Sequence, residues 1–148
     1  MQQRHQAPFR ADVVGSFLRP DAIKQARQQF AQGTISAQQL RTVENEAIRQ
    51  VVQQQCDCGL HVVTDGEFRR AWWHFDFFDG LQGVERYDAD KGIQFNGVQT
   101  KAHGVRVTGK LGFGDHPMLK DFVYLKSISG NAQPKMTIPS PSVLHFRG

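Results

Sequence analysis

The feature that most constrains this chain is a short β-branched run that stops abruptly in polar residues. Val62-Val63 is followed at once by Thr64-Asp65-Gly66-Glu67, and two arginines close the stretch at Arg69-Arg70. A short apolar run that ends in Asp and Gly is typical of a buried strand entering a loop. In α/β proteins, ligands bind at the carboxyl ends of such strands. We therefore expect a binding site at this point of the chain.

Two helices are predicted before this strand. The first begins around Pro20 and Asp21, which suit a helical first turn, and it ends at Gly33. The second begins with Ser36-Ala-Gln-Gln39, which matches a capping box. Apolar residues then recur at helical spacing as far as about Cys58, so this helix is predicted to be long.

Two further strands are predicted, one before the first helix and one near the end of the chain. Ala11–Ser16 is predicted to be a strand that stops at Gly15-Ser16, where glycine allows the backbone to approach a ligand closely. The residues alone favour an ordinary strand-to-helix turn over a binding site. Lys135–Ile138 is predicted to be a third buried strand, and Pro139 and Pro141 prevent it from continuing. We expect a loop, without a returning helix, after it. The order of elements indicates an α/β fold with parallel strands.

The residues between the second and third strands follow a different pattern. Five aromatic residues in Ala71–Phe78 predict an amphipathic helix or an aromatic wall beside a ligand, with His74 as a packing residue. Gly92–Phe113 alternates apolar residues with glycine and polar residues, which predicts a β-hairpin or meander. A short helix is predicted from Asp115-His116-Pro117 to about Lys126.

Composition excludes several classes of function. No stretch is apolar enough to cross a bilayer, and the first residues lack the apolar core of a signal peptide, so we predict a cytoplasmic protein with no membrane partner. Cys56 and Cys58 lie too close together in a helix for a disulfide and are weak candidates as metal ligands. The net charge is +4, but the basic residues are scattered and form no nucleic-acid-binding motif, so no nucleic-acid partner is predicted.

Three motifs in the same order resemble the cobalamin-independent methionine synthase family. They are Asp12–Pro20, Val62–Phe77 and Ile138–Arg147, and the resemblance runs from about Ala7 to Gly148. It is strongest to the shorter single-barrel branch, often called methionine synthase II. The resemblance implies a TIM-type barrel and a 5-methyltetrahydropteroyltriglutamate–homocysteine S-methyltransferase, which acts in methionine biosynthesis and uses zinc to form the substrate thiolate.

The resemblance also implies where the amino-acid part of homocysteine binds. Carried over residue by residue, the substrate-binding positions are Val14 through its backbone, Gly15, Ser16 and Glu67. A carboxylate suits the ligand's ammonium group, and a hydroxyl with backbone N–H groups suits its carboxylate. The family's zinc ligands, a His-x-Cys pair, a Glu and a later Cys, lie in the second half of the barrel and have no counterpart here. No catalytic or metal-ligating residue is therefore predicted, and zinc is expected only as a cofactor of the full-length family.

The length of the chain also predicts an incomplete barrel. A TIM barrel has eight strands in typically about 250 residues, and three barrel strands are predicted here. The expected fold is therefore a partial barrel with a hairpin excursion, forming one incomplete domain over residues 1–148. Alone, it is predicted to bind no stoichiometric zinc and to transfer no methyl group. Its open strand edge and partly uncovered aromatic block at residues 72–78 predict self-association or association with a complementary barrel fragment.

Two other interpretations remain open at this point. The chain could be an inactive truncated remnant or interaction module, which the missing zinc ligands favour for the chain alone. It could also be a fragment of a uroporphyrinogen decarboxylase-type barrel, which shares the fold without a zinc thiolate. The Gly15-Ser16 and Asp65-Gly66-Glu67 motifs favour the methyltransferase ancestry over the decarboxylase.

Overall fold

The computed structural model describes residues 12–88, 94–95, 98–99 and 103–147. Their helices and strands, in chain order, are α1 (Asp21–Ala31), α2 (Ala37–Asp57), β1 (Val62–Val63), α3 (Phe75–Phe78), β2 (Gln82–Asp88), β3 (Gln94–Phe95), β4 (Val98–Gln99), β5 (His103–Gly112), α4 (Pro117–Ile128), β6 (Gln133–Pro134) and α5 (Pro141–Arg147). The chain divides into two compact units. The first comprises the described parts of residues 1–69 and 121–137, and the second those of residues 70–120 and 138–148.

The two predicted helices of the first unit are confirmed as α1 and α2. The capping box opens α2: the Gln39 N–H donates to Ser36 Oγ at 3.2 Å, and the Ser36 N–H donates to Gln39 Oε1 at 2.7 Å. These two bonds satisfy backbone donors that a helix start leaves without an intrahelical acceptor. Gly33 and Gly59, which follow the two helices, both have positive φ, at 73° and 80°. The chain can therefore turn sharply after each helix.

The core of the first unit is a cluster of buried apolar side chains from both helices, β1 and α4. Its buried members are Ile23, Ala47, Ile48, Val51, Val52, Val63, Phe68 and Leu125. Burying each of the larger side chains contributes about 1.5–3 kcal/mol. Phe68 belongs to this cluster and is 2% exposed, so the turn after β1 is anchored in the core at its far end.

The first unit contains a two-stranded parallel sheet. Val62 pairs with Gln133 and Val63 with Pro134. The Gln133 N–H donates to the His61 carbonyl at 2.9 Å, and the Lys135 N–H donates to the Val63 carbonyl at 2.9 Å. The predicted parallel arrangement is confirmed, but the strand predicted at Lys135–Ile138 lies two residues earlier. Pro134 is tolerated there because the flanking residues donate the N–H groups that join the strands.

The strand predicted at Ala11–Ser16 is not formed. Residue 11 lies outside the described residues, and residues 12–16 have no helix or strand. The carbonyls of Val13 and Gly15 accept hydrogen bonds from the side chains of Lys135 and Thr64 instead of from a neighbouring strand. We call residues 12–17 the leader segment. It is held by these side chains and by one backbone hydrogen bond, from the Phe17 N–H to the Gly66 carbonyl at 3.1 Å.

The second unit is built around an antiparallel hairpin. β2 pairs with β5 from Gln82↔Gly112 to Asp88↔His103, with an irregularity between Gln82 and Val84, and β3 pairs with β4. The predicted hairpin is therefore confirmed in type, but it begins ten residues before Gly92. The predicted helix from Pro117 is also confirmed and ends at Ile128.

The core of the second unit is aromatic. Phe75, Phe78 and Val105 are buried together, and Val143 and Leu144 of α5 pack against them. The loop predicted after the third strand is therefore wrong, because residues 141–147 form a helix that opens with a proline. Proline is compatible with a helical first turn, where its missing N–H is not needed. The aromatic block is partly covered: Trp73 is 47% exposed, Trp72 and Phe77 are half-buried, and Phe75 and Phe78 are buried.

The described residues form no closed barrel. They contain one parallel strand pair where three barrel strands were predicted, together with helices and an antiparallel hairpin. The structure is a mixed α/β arrangement, and a place for it within a TIM barrel stays a prediction.

Candidate functional site

The turn after β1 has an unusual backbone. Gly66 and Glu67 both have positive φ, at 67° and 56°, and Glu67 is the only non-glycine among the described residues to do so. A left-handed conformation costs an ordinary residue about 1–2 kcal/mol. Such strain persists only where surrounding contacts hold it, and it concentrates at functional sites. Glu67 is also 8% exposed, so the structure keeps a strained carboxylate in a buried position.

Two hydrogen bonds hold the backbone of Glu67 in this conformation. Asp65 Oδ1 accepts the Glu67 N–H at 2.9 Å. On the other side of the residue, the Arg19 guanidinium donates to the Glu67 carbonyl at 3.0 Å. Asp65 is itself buried, so this bond to a charged acceptor is formed away from water. Both contacts use backbone groups of Glu67, which directs the carboxylate away from the chain.

The turn is also fixed to its neighbours by two polar residues. Gln55, on α2, accepts the Thr64 N–H at 2.9 Å and donates to the Thr64 carbonyl at 2.8 Å. The Thr64 hydroxyl donates to the Gly15 carbonyl at 2.8 Å and accepts the Gly66 N–H at 3.2 Å. Thr64 is 1% exposed, so each of these bonds satisfies a group that water does not reach.

The carboxylate of Glu67 lies beside the leader segment. Thr137 Oγ1 donates to Glu67 Oε1 at 2.7 Å. A Cβ built on Gly15 would lie 2.8 Å from Thr137 Oγ1 and 3.1 Å from Glu67 Oε1. Any side chain at position 15 would therefore collide with this pair. Glycine is required here because the backbone passes against the carboxylate.

The structure brings Gly15 and Glu67 together, as the sequence predicts for binding residues. Ser16 and Val14 flank Gly15 at exposed positions, and Val14 is 86% exposed. The binding role of these four residues stays a prediction. Their arrangement places one carboxylate, one hydroxyl and a glycine backbone at the carboxyl end of β1, which is a suitable set for the charged groups of an amino acid.

Sequence reasoning missed three residues that shape this site: Arg19, Thr64 and Thr137. Arg19 and Thr137 act across 48 and 70 residues of sequence, so no local pattern indicates their contacts. For Thr64, the available signal was a polar residue directly after a predicted buried strand.

Lys135 fixes the start of the leader segment. Its ammonium group lies 2.7 Å from Asp12 Oδ1 and also donates to the Val13 carbonyl. The hydrogen bond from Lys135 lowers the pKa of the exposed Asp12 carboxyl. Lys135 and Thr64 therefore hold the leader segment at two points.

A second group of charges in the first unit is structural. Arg69 lies 2.9 Å from Asp121, which also pairs with Arg41 at 3.1 Å, and 3.9 Å from Glu44. Burial raises the pKa of the Glu44 carboxyl, and Arg69 opposes that effect. Burial also lowers the pKa of the Arg69 guanidinium. These residues neutralise one another and tie α2 to α4.

The first unit also has a cleft of about 400 Å³, with Cys56, His61 and Arg49 among its lining residues. His61 precedes β1, so this cleft lies where the strands begin. In barrel proteins that end contributes stability, and ligands bind at the other end. The Glu67 turn therefore stays the candidate site.

The described residues offer no metal site. Within them, no three His, Cys, Asp or Glu side chains are grouped closely enough to hold a metal ion, and Cys56 and Cys58 are free thiols. The zinc of the family therefore does not fit this part of the chain. In the second unit, His74 is buried against the rings of Trp73 and Phe75, which agrees with a packing residue. No helix of the described chain is long and apolar enough to span a membrane.

Comparison with known proteins shows which family this chain matches. The family model for the catalytic domain of cobalamin-independent synthases matches residues 9–111. The Bacillus subtilis protein YxjG is 58% identical over 146 residues, which is 99% of this chain and 39% of YxjG. The chain thus spans about two-fifths of the length of this relative.

Two solved structures are similar as well. One is a Listeria monocytogenes protein assigned to the vitamin-B12-independent methionine synthases, with a TM-score of 0.79 and 46% identity, over 96% of this chain and 39% of that one. The other is a B12-independent methionine synthase from Shewanella in complex with selenomethionine, with a TM-score of 0.58 and 22% identity, over 77% of this chain and 33% of that one. This second likeness shows the fold alone.

Proposed function

The chain belongs to the cobalamin-independent methionine synthase family, and we propose on that premise that it binds the amino-acid end of homocysteine or a similar thiol amino acid. The observation that carries the proposal is the closeness of Gly15 to the buried Glu67 carboxylate, since a Cβ built on Gly15 would lie 3.1 Å from Glu67 Oε1. The reaction to which this binding contributes is methyl transfer to the thiol in methionine biosynthesis. The family match removes the uroporphyrinogen decarboxylase-type interpretation.

Each charged group of an amino acid has a suitable acceptor or donor in this site. Glu67 receives the ammonium group, and its backbone is already held in a strained conformation before a ligand binds. The Ser16 hydroxyl and the backbone N–H groups of the leader segment receive the ligand's carboxylate. The complex of the Shewanella protein with selenomethionine supports an amino acid as the ligand of this fold.

The described residues hold no set of zinc ligands, so we propose that they do not activate the thiol. In a complete barrel, the remaining segments would supply the metal. Alone, the chain would bind no zinc and would transfer no methyl group. The inactive remnant remains the second candidate, because the chain spans two-fifths of its relative and lacks these ligands in its described part.

We further propose that a complementary barrel fragment or a second copy covers the exposed apolar residues beside the site. Val14 and Leu18 are 86% and 97% exposed, although they flank a buried carboxylate. Exposed apolar groups of this kind mark partner surfaces or aggregation sites. Light scattering after size-exclusion chromatography tests this: oligomers are expected, and a monodisperse 16.7 kDa monomer would contradict it.

The binding proposal is tested by titrating the ¹⁵N-labelled chain with L-methionine and following its amide resonances. Saturable shifts are expected at Gly15 and Glu67. In Glu67→Gln the affinity should fall about tenfold or more, since hydrogen bonds to charged groups contribute about 1.5–3 kcal/mol. Glu46→Gln is the matched control, because Glu46 is exposed on α2 and remote in sequence from the turn. Equal affinities in all three proteins, or no shifts at all, would refute the proposal.

Catalytic competence is tested by grafting. This chain replaces the matching part of YxjG, so that the rest of that protein completes the barrel. Homocysteine methylation by the graft, lost in Glu67→Gln, would support the methyltransferase role. Methylation by the graft that persists in Glu67→Gln would remove Glu67 from substrate binding, and methylation by the isolated chain would show that it supplies its own metal site.

A further inference from the structure

We propose that Thr137 is a positioning residue that makes this site selective for ligands with an α-amino group. The proposal rests on the proposed amino-acid binding and extends it to a residue outside the family motifs quoted above. Thr137 touches Glu67 through one hydrogen bond, from its Oγ1 to Glu67 Oε1 at 2.7 Å. It would act on the ligand only through the orientation of that carboxylate.

The first argument concerns the freedom of the Glu67 side chain. A glutamate has three rotatable side-chain bonds, and fixing such a chain costs up to about 2 kcal/mol of conformational entropy. The backbone of Glu67 is held by Asp65 and Arg19, but neither of those bonds restrains its carboxylate. The bond from Thr137 restrains it before a ligand arrives. A preorganised acceptor binds more tightly because the ordering is already complete.

The second argument concerns the crowding around Gly15. A Cβ at this position would lie 2.8 Å from Thr137 Oγ1 and 3.0 Å from Thr137 Cγ2. Thr137 therefore lies against the leader segment with both its hydroxyl and its methyl group. The Gly15 backbone therefore confines the Thr137 side chain on one side, while its hydroxyl donates to Glu67 Oε1.

The third argument is that the same stretch of chain holds the leader segment independently. Lys135, two residues earlier, binds Asp12 and the Val13 carbonyl. The leader segment therefore keeps its place without the Thr137 hydroxyl. Removing that hydroxyl should remove its restraint on the Glu67 carboxylate and leave the backbone of the site intact.

The test compares two ligands and three variants. L-Methionine carries the ammonium group, and 4-(methylthio)butanoate has the same skeleton without it. Thr137→Val keeps the shape and removes the hydroxyl, Thr137→Ser restores the hydroxyl, and Glu67→Gln is the reference for loss of the carboxylate. Affinities are measured by amide shifts in the full chain.

The expected result is a change in selectivity. Thr137→Val should weaken methionine binding about fivefold to tenfold and change binding of the amine-free analogue less than twofold, and Thr137→Ser should recover most of the loss. A purely structural role would weaken both ligands alike, which would overturn the inference. If Glu67→Gln weakens methionine but Thr137→Val does not, only this inference fails. If Glu67→Gln has no effect, the proposed function fails as well.

Discussion

The turn at residues 64–68 and the hairpin of β2 and β5 hold their backbones in opposite ways. In the hairpin, five consecutive residue pairs from Val84↔Val107 to Asp88↔His103 share one register, and backbone groups of one strand bond to those of the other. In the turn, backbone groups bond to side chains from other elements: Gln55 bonds to Thr64, and Arg19 to Glu67. The hairpin is held by many backbone hydrogen bonds of the same kind, whereas each side-chain hydrogen bond of the turn occurs once.

This difference determines where the molecule is sensitive to substitution. A repeated ladder loses little when an exposed side chain changes, because its backbone bonds remain. A turn held by single side chains loses a bond whose partner is buried, and an orphaned buried group costs about 1–3 kcal/mol. The turn gains in return a fixed, non-repetitive geometry of the kind that a binding site needs. Three predictions test this contrast, from the largest expected effect to the smallest.

The same substitution should act very differently in the two regions. Thr64→Val removes a buried hydroxyl that bonds both the Gly15 carbonyl and the Gly66 N–H, so the free energy of unfolding should fall by about 3–4 kcal/mol. Thr108→Val, on the exposed face of β5, should change it by less than about 0.5 kcal/mol. Urea unfolding of both variants measures this. Similar losses in the two would remove the distinction between turn and hairpin.

One position of the hairpin, Gly83, should be as sensitive to substitution as the turn. Gly83 has φ 76°, and a Cβ there would lie 2.6 Å from the Lys110 carbonyl oxygen, so Gly83→Ala should cost about 2 kcal/mol or more. Gly33 has φ 73° and nothing within 4 Å, so Gly33→Ala should cost about 1 kcal/mol. Thermal unfolding of the pair isolates the backbone collision. Equal losses would mean that β5 shifts to relieve it.

The smallest predicted effect is the pH dependence of the free energy of unfolding. Burial raises the pKa of Glu44 in the first unit and of Asp79 in the second. Each folded carboxyl therefore holds its proton more tightly than in the unfolded chain. This contribution to stability is present below the unfolded pKa and is lost as pH rises through the folded pKa.

Relative to Glu44→Gln, the wild type should thus gain stability as pH falls from 7 to about 4. Relative to Asp79→Asn it should gain less, because Asp79 is 43% exposed at its side chain. Unfolding curves at several pH values measure both differences. A wild type that loses stability relative to Glu44→Gln on acidification would contradict the sign.

The sequence predicted what local patterns specify. The capping box at Ser36 and the turn after Val63 are short-range signals, and both elements formed. β2 was not predicted because Glu85 and Arg86 interrupt the alternation of apolar and polar residues. α5 was missed because Pro141 was interpreted as the end of a strand, although proline suits the first turn of a helix.

At the candidate site, Glu67 and Gly15 were predicted as binding residues from the resemblance of their motifs to the family. Thr137 could not be found, because its role depends on a contact 70 residues away.

The hydrogen bond between Thr137 and Glu67 also bears on how such a chain can change over evolutionary time. All of residues 70–120 are inserted between the partners of this bond. The entropy of closing a loop grows only with the logarithm of its length, and doubling the loop costs about 0.6 kcal/mol. Lengthening or shortening the hairpin should therefore affect the closure of the site by less than one ordinary hydrogen bond. The second unit could thus change in length at little cost to the contacts around Glu67.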